Sequence, residues 1–110
     1  MAFAQGDVLV LPFPYSDRLA KKRRPAVVIS KPALERVHGL VWVAMITSDR
    51  GGAHADDVPI GNLARAGLPA PSLVRPVKLA TIEPSRVLRV AGALSRGDLA
   101  AVMQNFGKYL

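Results

Sequence analysis

The 110-residue chain has no cysteine, which excludes disulfides, thiolate nucleophiles and cysteine-ligated zinc. It is also poor in aromatics, with one Trp, two Tyr and three Phe. Several of these must fill a core, so a platform for stacking successive bases is poorly supplied. Acidic residues are scarce: eight Asp and Glu stand against fifteen Lys and Arg, a formal charge of +7. Such an excess draws a protein toward polyanions, although it says nothing of fold. No apolar run is long enough to span a bilayer. Met1 to Gln5 lacks the basic-then-apolar layout of a signal peptide. The expectation is a cytoplasmic protein folded as one domain over residues 1–110. Half the residues are hydrophobic, enough for one modest core and too many for a disordered chain.

Catalytic signatures are missing as well. There is no phosphate-cradling glycine motif and no Gly-x-Ser-x-Gly elbow. No His or carboxylate cluster has metal-ligand spacing, so no cofactor is expected. His38 and His54 fall in expected turns with nothing to bring them together, and Asp56-Asp57 reads as a surface turn.

What is present is a series of short apolar runs separated by Gly, Pro, Asp and Ser, the spacing of short strands. Asp7–Pro12, Pro25–Ser30, Leu40–Ile46, Val58–Ile60, Ser72–Arg75, Lys78–Ile82 and Arg86–Leu94 are the expected strands. Pro32–Gly39 reads as a turn or one helical turn, and Asn62–Ala66 as a helical turn ended by Gly67. Leu99, Val102, Met103, Phe106 and Leu110 recur at helical spacing behind Ser95-x-x-Asp98, a variant capping box. The fold class is therefore mainly β with a C-terminal helix, a small curved sheet or barrel buried under that helix.

Lys21-Lys22-Arg23-Arg24 is followed by Pro25 at the entrance of a β-branched strand. Runs of like charge usually form a solvated face. Next to proline, however, the Arg24 backbone is restrained, and a fixed guanidinium can grip two phosphate oxygens. Lys21, Lys22 and Arg23 lie further out and suit non-selective attraction of RNA. Thr47 and Ser48 leave their strand together and can bond a phosphate or cap the following loop. Ser72-Leu73-Val74-Arg75 brings a second arginine: on a strand Ser72, Val74 and Pro76 share one face, and Leu73 shares the other with Arg75. Arg75 either meets a phosphate or pairs with an acid such as Glu83 or Asp49.

Taken together, several blocks resemble the MazF/PemK family of RNA-cleaving toxins. They are Gly6-Asp7-Val8 with Pro12-Phe13, Arg24 to Ile29, Ile46-Thr47-Ser48, Gly67-Leu68-Pro69 through Ser72 to Arg75, Thr81-Ile82-Glu83, and Gly92-Ala93-Leu94. Each is weak alone, but they span nearly the whole chain in the family's order. The resemblance implies an SH3-like MazF/PemK-type barrel acting as a homodimer. It implies metal-independent, sequence-selective cleavage of single-stranded RNA, and inhibition by a cognate, acidic, partly disordered antitoxin. By position it assigns Arg24 and Thr47 to the catalytic set and Arg75 to an arginine that some members use. Val77 stands where some members carry an acid, and Asp17 is the only acid from Tyr15 to Arg23, so no general base is named. The alternatives are a barrel that inhibits a protein target, as the related gyrase poisons do, and a plain nucleic-acid-binding module.

Overall fold

The structure is a computed structural model that describes residues 2–12 and 23–110. Six strands form one curled antiparallel sheet in the order β4-β5-β3-β2-β1-β6. They are β1 (Asp7–Pro12), β2 (Arg23–Val28), β3 (Val41–Ser48), β4 (Val58–Pro59), β5 (Ser72–Ile82) and β6 (Arg89–Ala93). Three helices complete the described chain: α1 (Pro32–His38), α2 (Leu63–Ala66) and α3 (Arg96–Gly107).

Near-continuous apolar strands predict a sheet covered on both faces, and that is what forms. Val8, Val27, Ala44, Ile46 and Val74 point to one face, where Val102, Leu99, Met103 and Phe106 of α3 pack on them. Leu9, Leu11, Ala26, Val28, Val41, Val43, Ala80 and Ile82 fill the other. The alternation within β1 and β2 follows from the two-residue period of a strand. The helical period of α3 follows from its apolar stripe.

Four details differ from the sequence expectation. The two expected strands on either side of Pro76 are one continuous strand, β5. The ladder shifts register between Ala44–Leu79 and Met45–Arg75. Pro76, which has no N–H to donate, falls in that irregularity and breaks no ladder bond. Second, Pro32–His38 is a seven-residue helix, longer than the turn or single helical turn expected. Proline suits its first turn, and Gly39 closes it at a left-handed φ of 68°. Third, β6 begins later than expected because Pro84–Arg86 is a 3-10 turn. Fourth, the capping box is half formed. Ser95 Oγ accepts from the Asp98 N–H at 3.2 Å, but the Asp98 carboxylate accepts from the Gly61 and Asn62 N–H groups at 3.0 and 3.2 Å. It ties α3 to the start of α2.

The contact between α2 and β6 is unusually close. A Cβ on Gly92 would lie 2.3 Å from the Arg65 carbonyl oxygen, and one on Gly67 would lie 2.1 Å from that of Ala91. Only glycine allows backbones to approach this far.

Candidate functional site

The polar candidates gather where the ladder of β1, β2, β3 and β5 ends. Leu11 pairs with Arg24, and Ala26 pairs with Met45. Continuing the second register by two residues sets Arg24 opposite Thr47. Thr47 pairs in turn with Leu73, and Met45 pairs with Arg75. Residues directly opposite in an antiparallel ladder point to the same face, with Cβ atoms about 5 Å apart. Arg24, Thr47 and Arg75 therefore share the face that Leu9, Leu11, Ala26 and Met45 make apolar. Arg75 sits one rung inside Thr47. The apolar interior thus ends in two guanidinium groups and a hydroxyl.

Arg24 is half-buried, and its Nε is fully buried without a hydrogen-bond partner among the described residues. A buried donor left unsatisfied is costly, and such groups call for an explanation. Thr47 is half-buried. Arg23 is exposed and pairs with Pro12 at the end of the ladder. Lys21 and Lys22 lie outside the described residues, as do Phe13, Tyr15 and Asp17.

The two serines have local partners. Ser48 Oγ accepts from the Arg50 N–H at 3.2 Å and caps the 3-10 turn Asp49–Gly51. Ser72 Oγ donates to the Ala70 carbonyl at 2.9 Å. Ser48 retains its hydroxyl proton for an incoming acceptor, and Ser72 retains its lone pairs.

Arg75 meets Asp57, an acid expected from the sequence in a surface turn. Its Nε donates to the Asp57 oxygens at 3.1 and 3.3 Å, and its Nη2 donates to Oδ2 at 2.9 Å. The Asp57 side chain is fully buried, so Asp56-Asp57 is not a free surface turn. Val58 pairs with Val74, and one step back along that register places Asp57 opposite Arg75. Burial pushes the Asp57 carboxyl up. The Arg75 hydrogen bonds, the His54 N–H at 2.7 Å and the Arg75 charge outweigh it and hold the carboxyl below its ordinary value.

Asp56 is held just as firmly in the opposite direction. It adopts a left-handed φ of 70°, which Asp tolerates better than most residues. Its carbonyl accepts from Asn105 Nδ2 at 3.0 Å, and its carboxylate accepts from Lys108 Nζ at 2.7 Å and from the Tyr109 hydroxyl. The Lys108 and Tyr109 hydrogen bonds lower its pKa.

His38 ends α1, and His54 lies in the turn before β4, so the structure gives them no shared chemistry. Among the described residues no three His, Asp or Glu side chains converge as a metal site would require. A cleft of about 340 Å³ lies between β3, β5 and the end of α3, lined by Ile29, Trp42, Leu79, Ala80, Thr81, Phe106 and Leu110. Its lining holds no charged side chain, so it offers a binding surface and no acid–base chemistry. No described helix is long and apolar enough to cross a membrane.

A curled antiparallel sheet closed by a C-terminal helix matches the fold of the MazF toxins. The MazF toxin of Deinococcus radiodurans superposes with a TM-score of 0.79 at 23% identity, covering 99% of this chain and 96% of that one. An endoribonuclease from Mycobacterial species in complex with its cognate antitoxin gives a TM-score of 0.79 at 16% identity, covering 97% and 93%. The Mycobacterium tuberculosis toxin MazF-mt6 gives 0.72 at 24% identity, covering 93% of each chain. No curated protein sequence is significantly similar to this one. Residues 4–110 match the model of the PemK-like, MazF-like toxins of type II toxin–antitoxin systems. The chain belongs to that family.

Proposed function

We propose that the chain is a metal-independent endoribonuclease that cleaves single-stranded RNA selectively, and so acts as the toxin of its toxin–antitoxin pair. The observation that carries this reading is the Nε of Arg24, buried and without a hydrogen-bond partner among the described residues, on a residue that the β2–β3 register, continued two residues past Ala26–Met45, sets opposite Thr47. Solved relatives named as endoribonucleases support it.

In this scheme the 2′-hydroxyl upstream of the scissile phosphate attacks phosphorus and the 5′-oxygen leaves. The products carry a 2′,3′-cyclic phosphate and a 5′-hydroxyl. Negative charge grows on the equatorial oxygens, and Arg24 stabilises it. Thr47 and Ser48 hold the phosphate in line for attack. A guanidinium stays protonated near neutrality, so Arg24 acts as a charge clamp and the proton moves through another group. Arg75 and Ser72 contact the flanking strand. Lys21, Lys22 and Arg23 supply attraction without sequence reading.

The working form is a homodimer. Its inhibitor is an acidic, partly disordered antitoxin, suited both to the +7 charge and to the apolar cleft beside Trp42 and Leu110. The test is to incubate purified protein with a defined RNA in EDTA and map the ends. Discrete cuts with cyclic phosphate ends support the reading. RNA that is retarded but intact makes the protein a binder, and cleavage that stops in EDTA makes it a metal nuclease. DNA of the same sequence stays whole, because it lacks the 2′-hydroxyl.

A further inference from the structure

Arg75 differs from Arg24 in one respect that bears on function: its guanidinium already has a fixed orientation. Asp57 occupies Nε and one terminal nitrogen, Nη2. Among the described residues Nη1 has no partner. The carboxylate that does this is fully buried and has little freedom of its own. The His54 N–H fixes it from one side. Asp56, the residue before it, is bound by Asn105, Lys108 and Tyr109 at the end of α3. The dipeptide therefore joins the C-terminal helix to an arginine one rung from Thr47.

We infer that Asp57 is a positioning residue: it holds the Arg75 fork so that Nη1 faces the strand entering beside Thr47. This rests on the nuclease reading of the same site. A planar guanidinium gains its advantage over an ammonium from a fixed fork, and a misplacement of about 1 Å at a reacting phosphate can cost on the order of a hundredfold in rate. The neutralised pair attracts RNA less than a free arginine would. Asp57 therefore contributes orientation and not affinity.

The experiment is a double-mutant cycle on a defined single-stranded RNA, with Asp57→Asn, Arg75→Lys and the double variant, each shown to be folded by circular dichroism. Asp57→Asn should lower kcat by about tenfold or more while KM stays within about threefold. In the Arg75→Lys background, where no fork remains to be held, the same change should cost less than about twofold. Asp57→Glu keeps the charge but displaces it, and should fall between wild type and Asp57→Asn. It carries the test alone if Asp57→Asn does not fold. A kcat unchanged in Asp57→Asn, or effects that multiply in the double variant, would overturn the inference while leaving the nuclease reading intact. Wild-type protein that leaves RNA whole defeats the nuclease reading instead. The fork's orientation is then read directly from the guanidinium NMR signals of Arg75, where faster rotation in Asp57→Asn than in the wild type supports the positioning role and unchanged rotation overturns it.

Discussion

Asp57 and Arg75 face each other across β4 and β5, with Nη2 2.9 Å from Oδ2 and the carboxylate fully buried. Breaking a buried pair strands a charge, which typically costs about 3–5 kcal/mol. Arg75→Ala should therefore lose about 3 kcal/mol of stability in urea titration, whereas the double change Arg75→Met with Asp57→Asn should recover much of it. Equal losses in the single and double variants would show that the pair's burial matters less than its shape.

The same pair sets an acid limit. The folded-state pKa of Asp57 lies below its ordinary value of 3.8: burial raises it, but the Arg75 bonds and charge and the His54 N–H prevail. A depressed carboxylate contributes stability that is fully present above the unfolded pKa and lost as pH falls through the folded one. Unfolding free energy should be flat with respect to this group near neutrality and should fall below about pH 4. Asp57→Asn should be less stable at neutral pH and show a shallower acid limb. An identical acid limb in the variant would remove Asp57 from this account.

Capping gives a third prediction. Ser95 Oγ is the side-chain partner of the Asp98 N–H at the start of α3, so Ser95→Ala should cost about 1 kcal/mol. Asp98→Ala removes the acceptor of two N–H groups from Gly61 and Asn62, and should cost at least as much despite being a capping-box residue whose partner lies elsewhere.

Close backbone approach gives a fourth. The Cβ of Gly92→Ala would meet the Arg65 carbonyl oxygen at 2.3 Å and the Ala66 carbonyl carbon at 2.7 Å. Backbone cannot yield as a side chain can, so α2 must separate from β6. A loss of about 2–3 kcal/mol is expected in thermal or urea unfolding.

Much of the architecture was legible because local signals agreed with the tertiary outcome. Asp7–Pro12 reads as a strand from its apolar run and its prolines, and it forms as read. The Leu99–Phe106 stripe and Ser95 announce α3, and Gly67 announces the end of α2. Pro76 misled for a physical reason. Its missing N–H forbids a regular ladder position, but the register shift opposite Ala44 and Met45 supplies an irregular one. Asp57 was not legible at all. Its partnership with Arg75 depends on the register of β4, a two-residue strand, and nothing local specifies pairing across 18 positions. Asp56 was equally hidden, because its partners lie about fifty residues onward at the chain's end. At the site itself, the Arg24-Pro25 step, Thr47 and Arg75 stood out as residue types at strand ends. Their convergence on one face came from the ladder.

The central claim is that Arg24 stabilises the charge of RNA cleavage at this edge. The direct measurement is the single-turnover cleavage rate of Arg24→Ala on an RNA that the wild type cuts, in EDTA, with the variant's fold confirmed. The account predicts a loss of about a hundredfold or more, equivalent to roughly 3 kcal/mol of transition-state stabilisation. A rate within a few-fold of wild type would contradict it.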